Sequence, residues 1–179
     1  MTIQFILSQV FQFIAYVILV FTMLRKTKED IMWLLIVFNI LMVASFVFLG
    51  NSESGMIVSA LMAVKCLVEY LISKGIIGKK TLTIVDVFAY IGIVVTSIYA
   101  YDGFGSLLSV FGTALFLVSA KMKSVLSLKI FMFLSTVCWL LYQIYVKSPV
   151  GIGWECVVTT SSIVGVLTEF RREKQAKQA

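Results

Sequence analysis

Seven apolar runs follow one another along this chain, at about 3–24, 31–50, 55–73, 82–101, 105–120, 126–146 and 151–170, with only a few residues between them. Each is close to the ~20 residues that carry an α-helix, rising 1.5 Å per residue, across ~30 Å of hydrocarbon. A backbone in hydrocarbon must satisfy its own hydrogen bonds, and only helices and closed barrels do so. The runs therefore predict an all-α polytopic membrane protein with seven transmembrane helices. A soluble helical protein is the competing reading, but its helices need a polar face, and these runs are apolar all round. The first run has no basic stretch ahead of it and no small-residue cleavage site, so it reads as a retained span and not as a signal peptide.

The connections alternate in charge. Arg25, Lys26 and Lys28 follow the first run, Asn51-Ser52-Glu53-Ser54 the second, and Lys74, Lys79 and Lys80 the third. Asp102-Gly103 follows the fourth, Lys121 and Lys123 the fifth, Lys147 the sixth, and Arg171, Arg172, Lys174 and Lys177 the seventh. Counted by side, Lys and Arg divide twelve to one. The positive-inside rule then puts the N-terminus outside and the C-terminus in the cytoplasm, at a plasma membrane. The net charge of +6 is explained by this asymmetry and implies no nucleic-acid partner.

Short internal matches suggest a repeat. Leu67-Val68-Glu69-Tyr70 with Lys74 parallels Leu167-Thr168-Glu169-Phe170 with Lys174, each closing a run at its cytoplasmic end. Val43-Ala44-Ser45-Phe46 parallels Thr136-Val137-Cys138-Trp139, and residues 13–25 parallel residues 111–123. The expected organisation is a first three-helix bundle over 1–74, a linker helix over 75–104, a second three-helix bundle over 105–170 and a basic cytoplasmic tail over 171–179. A single span between two three-span units makes them parallel, an arrangement found in one transporter class with the substrate site between repeats.

This 3+1+3 layout resembles the SWEET sugar transporters and the PnuC vitamin transporters. At the residue level, Phe133-Leu134-Ser135-Thr136-Val137-Cys138-Trp139, the last run from Gly153 and Glu155 to Arg171-Arg172, Phe48-Leu49-Gly50 and Lys65 carry a closer likeness. On these the chain resembles the bacterial inner membrane YgjV family over nearly its whole length. The resemblance implies a fold and a bacterial inner membrane location more than a function. Two departures bear on mechanism. The prolines that hinge SWEET helices are absent, since Pro149 reads as a loop residue, and no Pro precedes Gln9 or Gln12. Rocking of rigid bundles is then the expected motion, not hinging at proline.

Few residues in the runs can carry chemistry. Lys65 lies nine residues before Lys74, roughly 13 Å inside the cytoplasmic end, too deep to snorkel easily. Glu69, four residues on, shares its helical face. The pair reads either as a strut or as charges facing a polar cavity. Asp86 reads as an ion-pair partner for Lys79 or Lys80, or as a proton- or ion-coupling carboxylate. Asn39, Gln143, Trp139, Thr159 and Ser162 are candidate substrate contacts; helix packing is the competing reading, strongest for the polar run 159–162. Lys129 reads as a snorkelling residue, Glu155 as one that favours a helix N-terminus, and Tyr142 and Trp154 as interfacial aromatics.

An enzyme is not expected. The chain has no His and no Walker-type loop, and Asp86 has no evident acidic partner for a two-carboxylate site. Cys66, Cys138 and Cys156 lack the spacing of metal ligands, so neither a metal nor a cofactor is expected. The expected function is facilitative or ion-coupled transport of a small solute at a site between the two bundles. The alternative is a non-transporting scaffold, assembly partner or sensor. The expected partners are the lipid bilayer and a small-molecule substrate, with a homo-oligomer left open. Convergence of Lys65, Asn39 and residues 159–162 on one cavity would favour transport; dispersal into helix contacts would favour the alternative.

Overall fold

The computed structural model describes residues 3–49, 53–99, 104–145, 149–176 and 178. Among them are seven α-helices and no strand: α1 (Ile3–Met23), α2 (Lys28–Leu49), α3 (Glu53–Ser73), α4 (Lys79–Tyr99), α5 (Phe104–Lys121), α6 (Val125–Tyr145) and α7 (Pro149–Ala176). Four of them, α1, α2, α3 and α6, are long and apolar enough to cross a membrane; α4 and α5 carry shorter apolar stretches, Thr83–Val95 and Leu107–Lys121.

Local chemistry sets the helix ends. Thr27 caps α2 by accepting the Asp30 N–H at 3.2 Å, and Glu29 and Asp30 place negative charge at the positive end of the helix dipole. Ser124 accepts the Ser127 N–H at 3.4 Å ahead of α6. Gly75 stops α3: its φ of 72° is open to glycine, and the bonds Gly75 N–H to Ile72 O and Ile76 N–H to Leu71 O, both 2.9 Å, complete a Schellman turn. Pro149 is not a loop residue, as the sequence suggested, but the first residue of α7. Proline suits that position, because its fixed φ is helical and the N–H it lacks would have no helical acceptor. α7 also continues as helix through Arg171, Arg172 and Lys174, where Glu, Lys, Gln and Ala are good helix formers.

The helices gather into two compact units, one comprising Met1–Leu19 and Met32–Tyr101, the other Val20–Ile31 and Asp102–Ala179. In the first, α3 packs on α4. Ser8 and Ser45 join α1 to α2 by a buried hydroxyl contact of 3.1 Å, and Phe11 stacks on Phe48 with ring centroids 5.5 Å apart. In the second, α5 packs on α6 and α6 on α7. The Ser135 hydroxyl donates to the Gly112 carbonyl at 2.7 Å, and the Ser161 hydroxyl to the Val20 carbonyl at 3.0 Å. Gly165 lets α7 approach the backbone of α1, where a Cβ would lie 2.4 Å from the Met23 carbonyl oxygen. Small residues and buried hydroxyls at helix contacts are the usual cement where lipid removes the hydrophobic drive between helices.

The distribution of polarity is that of a protein in lipid. Phe88, Ile91, Val95 and Ile98 of α4 point outward, as do Phe13 and Phe21 of α1 and Leu167 and Phe170 of α7. Ser8, Thr22, Asn39, Ser45, Lys65, Glu69, Asp86 and Lys129 are buried. In water, so large an apolar exterior would drive aggregation.

Candidate functional site

The antiparallel α3–α4 hairpin builds the first charged cluster. Lys65 lies eight residues before the end of α3 and Asp86 seven residues after the start of α4, so the two stand at the same depth. The Lys65 ammonium is fully buried and donates to Glu69 Oε1 at 3.3 Å and to Asp86 Oδ1. Glu69 comes from the next turn of the same helix, which holds it against the lysine whatever α4 does. Asp86 comes from the neighbouring helix and makes the lysine a cross-link. An isolated charge at such depth would be prohibitively costly; ion pairing with hydrogen bonds is what permits it.

Asp86 is paired with Lys65, a partner the sequence reading did not name; the expected partners Lys79 and Lys80 have side chains outside those described. One expectation is corrected here. Asp86 also has an acidic neighbour after all, because Glu69 reaches the same ammonium.

The second unit carries a cluster of the opposite make-up. Lys129 of α6 donates to Glu169 Oε2 of α7 at 3.1 Å, and Arg172 donates to the same oxygen at 3.4 Å. Lys129 is 2% exposed, so it does not snorkel as the sequence suggested. The packing of α6 on α7 puts a carboxylate within its reach, and pairing replaces water. Gly165 stands where the internal repeat would place a second lysine, yet Glu169 is still paired, with the lysine supplied by a different helix. A buried lysine paired with a glutamate therefore occurs in both units.

The other candidate contacts are mostly turned to helix structure. Asn39 is buried in the first unit and donates to the Leu35 carbonyl of its own helix at 2.7 Å. In the second unit, Ser162 donates to the Val158 carbonyl and Thr160 to the Cys156 carbonyl, both at 2.8 Å, while Ser161 bonds Val20. Thr159 differs: its hydroxyl oxygen is buried with no hydrogen-bond partner. Trp139 meets Tyr142 edge to face at 5.6 Å and covers Gly112. Gln143 is half-buried. The structure thus brings together Lys65, Glu69 and Asp86, and leaves Asn39 and residues 160–162 bonded to backbone carbonyls.

Glu155 also departs from its expected place. Because α7 begins at Pro149, Glu155 falls in the second turn, beyond the free N–H groups of the helix start, and it is 6% exposed. Its role cannot be only to favour a helix N-terminus, since that interaction fades within the first turn.

An all-helical chain with an apolar exterior and buried, paired charges is an integral membrane protein. The sequence model of the Imp-YgjV family, described as bacterial inner membrane protein, matches residues 6–174, and the chain belongs to that family. No curated protein and no solved structure matches it.

Proposed function

We propose that this protein is an ion-coupled transporter of a small solute, and that the Lys65–Glu69–Asp86 cluster is its coupling element. In this reading all seven helices cross the inner membrane, with the N-terminus outside, the C-terminus in the cytoplasm and the 3+1+3 order of spans. The observation that supports it is the sharing of one buried ammonium between carboxylates of two helices. A proton placed on Asp86 would release α4 from Lys65 while Glu69 keeps the lysine paired. That is a local charge change acting on a contact between helices, which is what an ion-coupled switch requires. Purified protein in liposomes, offered a panel of labelled metabolites with and without an inward proton gradient, tests it. Gradient-accelerated uptake of at least one solute is expected; uptake no faster than in protein-free liposomes across the panel would refute it.

A second reading, a non-transporting scaffold, assembly partner or sensor, draws on the side chains just described. Asn39, Thr160, Ser161 and Ser162 are bonded to backbone carbonyls, and a paired buried lysine occurs in both units. Both features fit helix cementing. On this reading the charged clusters govern stability alone.

A further inference from the structure

Three of the four buried carboxylates described above, those of Glu69, Asp86 and Glu169, touch a lysine. Glu155 is as buried as they are and has no hydrogen-bond or ion-pair partner among the described residues. One turn further along α7, Thr159 has a buried hydroxyl oxygen that is equally unmet. Residues four apart stand on the same helical face, so two oxygen ligands without partners lie one above the other. α6 packs antiparallel on α7. Glu155 is six residues after the start of α7 and Trp139 six before the end of α6, while Thr159 is ten after and Ser135 ten before, so the 135–139 turn of α6 is level with this pair.

We propose that Glu155 and Thr159 form a site that takes up one positive charge, a proton or a small cation such as sodium held by oxygen ligands. A carboxylate cannot remain ionised and alone in an apolar interior; it gains a counter-charge or a proton. Among the described residues of α6 and α7, no cation supplies the counter-charge. Lys129, the lysine of α6, is held by Glu169 at the cytoplasmic end, and Arg172 bonds the same carboxylate. The remaining titratable groups on α6 and α7 near this level are Cys138, Tyr142, Tyr145 and Cys156, none of them cationic. The α1 segment of this unit, residues 20–23, has no titratable side chain. Carboxylate and hydroxyl oxygens are hard ligands, suited to a proton or an alkali cation and not to a soft metal. The site belongs to the second unit, and it does not depend on the function proposed for the Lys65 cluster of the first.

Dicyclohexylcarbodiimide, which reacts with protonated carboxyl groups in apolar surroundings, tests the site on the full chain in liposomes, with modified residues mapped by mass spectrometry. Glu155 should be modified near neutral pH, with the rate falling about tenfold per pH unit above its midpoint. Glu169, held by Lys129 and Arg172, should stay unmodified and serves as the internal control. Sodium chloride in place of choline chloride decides the occupant. Protection by sodium, lost in Thr159→Val, indicates a cation site. Indifference to sodium with a shifted pH midpoint in Thr159→Val indicates a proton site. Glu155→Gln should abolish the label at this position, and Glu155→Asp provides a carboxylate-bearing variant if the glutamine form fails to fold. The proposal is overturned if Glu155 is never modified, if its modification appears only in Lys147→Gln, which would reveal an ion pair with Lys147, or if labelling ignores pH, sodium and Thr159 alike.

Discussion

Lys65 of α3 and Asp86 of α4 share a salt bridge at equal depth in their hairpin, with Glu69 bonded to the same ammonium. Removing the lysine takes from both carboxylates the ammonium they share. Lys65→Met should therefore cost about 3–5 kcal/mol, the usual range for breaking a buried pair from one side. The double variant Lys65→Met with Glu69→Gln should recover only part of the loss, because Asp86 is left charged. Adding Asp86→Asn should recover most of the remainder. Thermal unfolding in detergent, followed by a thiol-reactive dye, measures the series; equal stability of the double and triple variants would show that Asp86 does not depend on Lys65.

In the second unit the same operation should do less. Glu169 keeps Arg172 at 3.4 Å when Lys129 is replaced by Met. Arg172 is about a third exposed, so its contribution is moderated by solvent. A loss of about 1–3 kcal/mol is expected. Combining Lys129→Met with Arg172→Gln should exceed the sum of the single effects, since only then is the carboxylate alone. Strict additivity in the same unfolding assay would count against the shared-oxygen geometry.

What could be read in the sequence follows the range of each interaction. The seven helices stand where seven apolar runs lie, because periodicity and length are local properties. Lys65 with Glu69 was legible for the same reason, being one turn apart on one helix. Asp86 could have been matched to Lys65 from the hairpin alone, by counting equal residues back from a short turn. Lys129 with Glu169 was not legible. They are 40 residues apart, and their meeting depends on how α6 and α7 tilt and rotate against one another, which no local pattern encodes. Pro149 was misread because proline serves equally as a loop residue and as the first residue of a helix, and Glu155 was misplaced with it.

Close approach of α1 and α7 makes a steric prediction. A Cβ on Gly165 would sit 2.4 Å from the Met23 carbonyl oxygen, and backbone cannot rotate aside as a side chain can. Gly165→Ala should destabilise by about 1–3 kcal/mol. Gly153, on the same helix, has nothing within 4 Å of its would-be Cβ. Gly153→Ala should be neutral or should stabilise by up to about 1 kcal/mol, from the better helix propensity of alanine. Indistinguishable melting of the two variants would argue against the α1–α7 contact.

The twelve-to-one division of Lys and Arg makes a topological prediction. A reporter fused to the C-terminus should be active in the cytoplasm. In a background lacking Cys66, Cys138 and Cys156, a cysteine replacing Ser52, which lies outside the described residues, should react with a membrane-impermeant thiol reagent on intact cells. Labelling that requires permeabilisation would invert the assignment.

Asp86→Asn separates coupling from cementing. The change keeps the Lys65–Glu69 bond and nearly the same side-chain volume, while it removes the charge that ties α4 to the lysine. If the cluster is the coupling element, the variant should remain folded and exchange substrate across liposomes without a gradient. Its uptake should no longer be accelerated when a proton gradient is imposed, because the group that gains and loses the proton is gone. Asp86→Glu should retain some acceleration, since a carboxylate remains at the position. If the cluster is only structural, both variants should respond to the gradient as the wild type does, and any loss should scale with the fraction of protein still folded. Uptake by Asp86→Asn that is accelerated as strongly as wild-type uptake, at matched folded protein, would remove Asp86 from the mechanism.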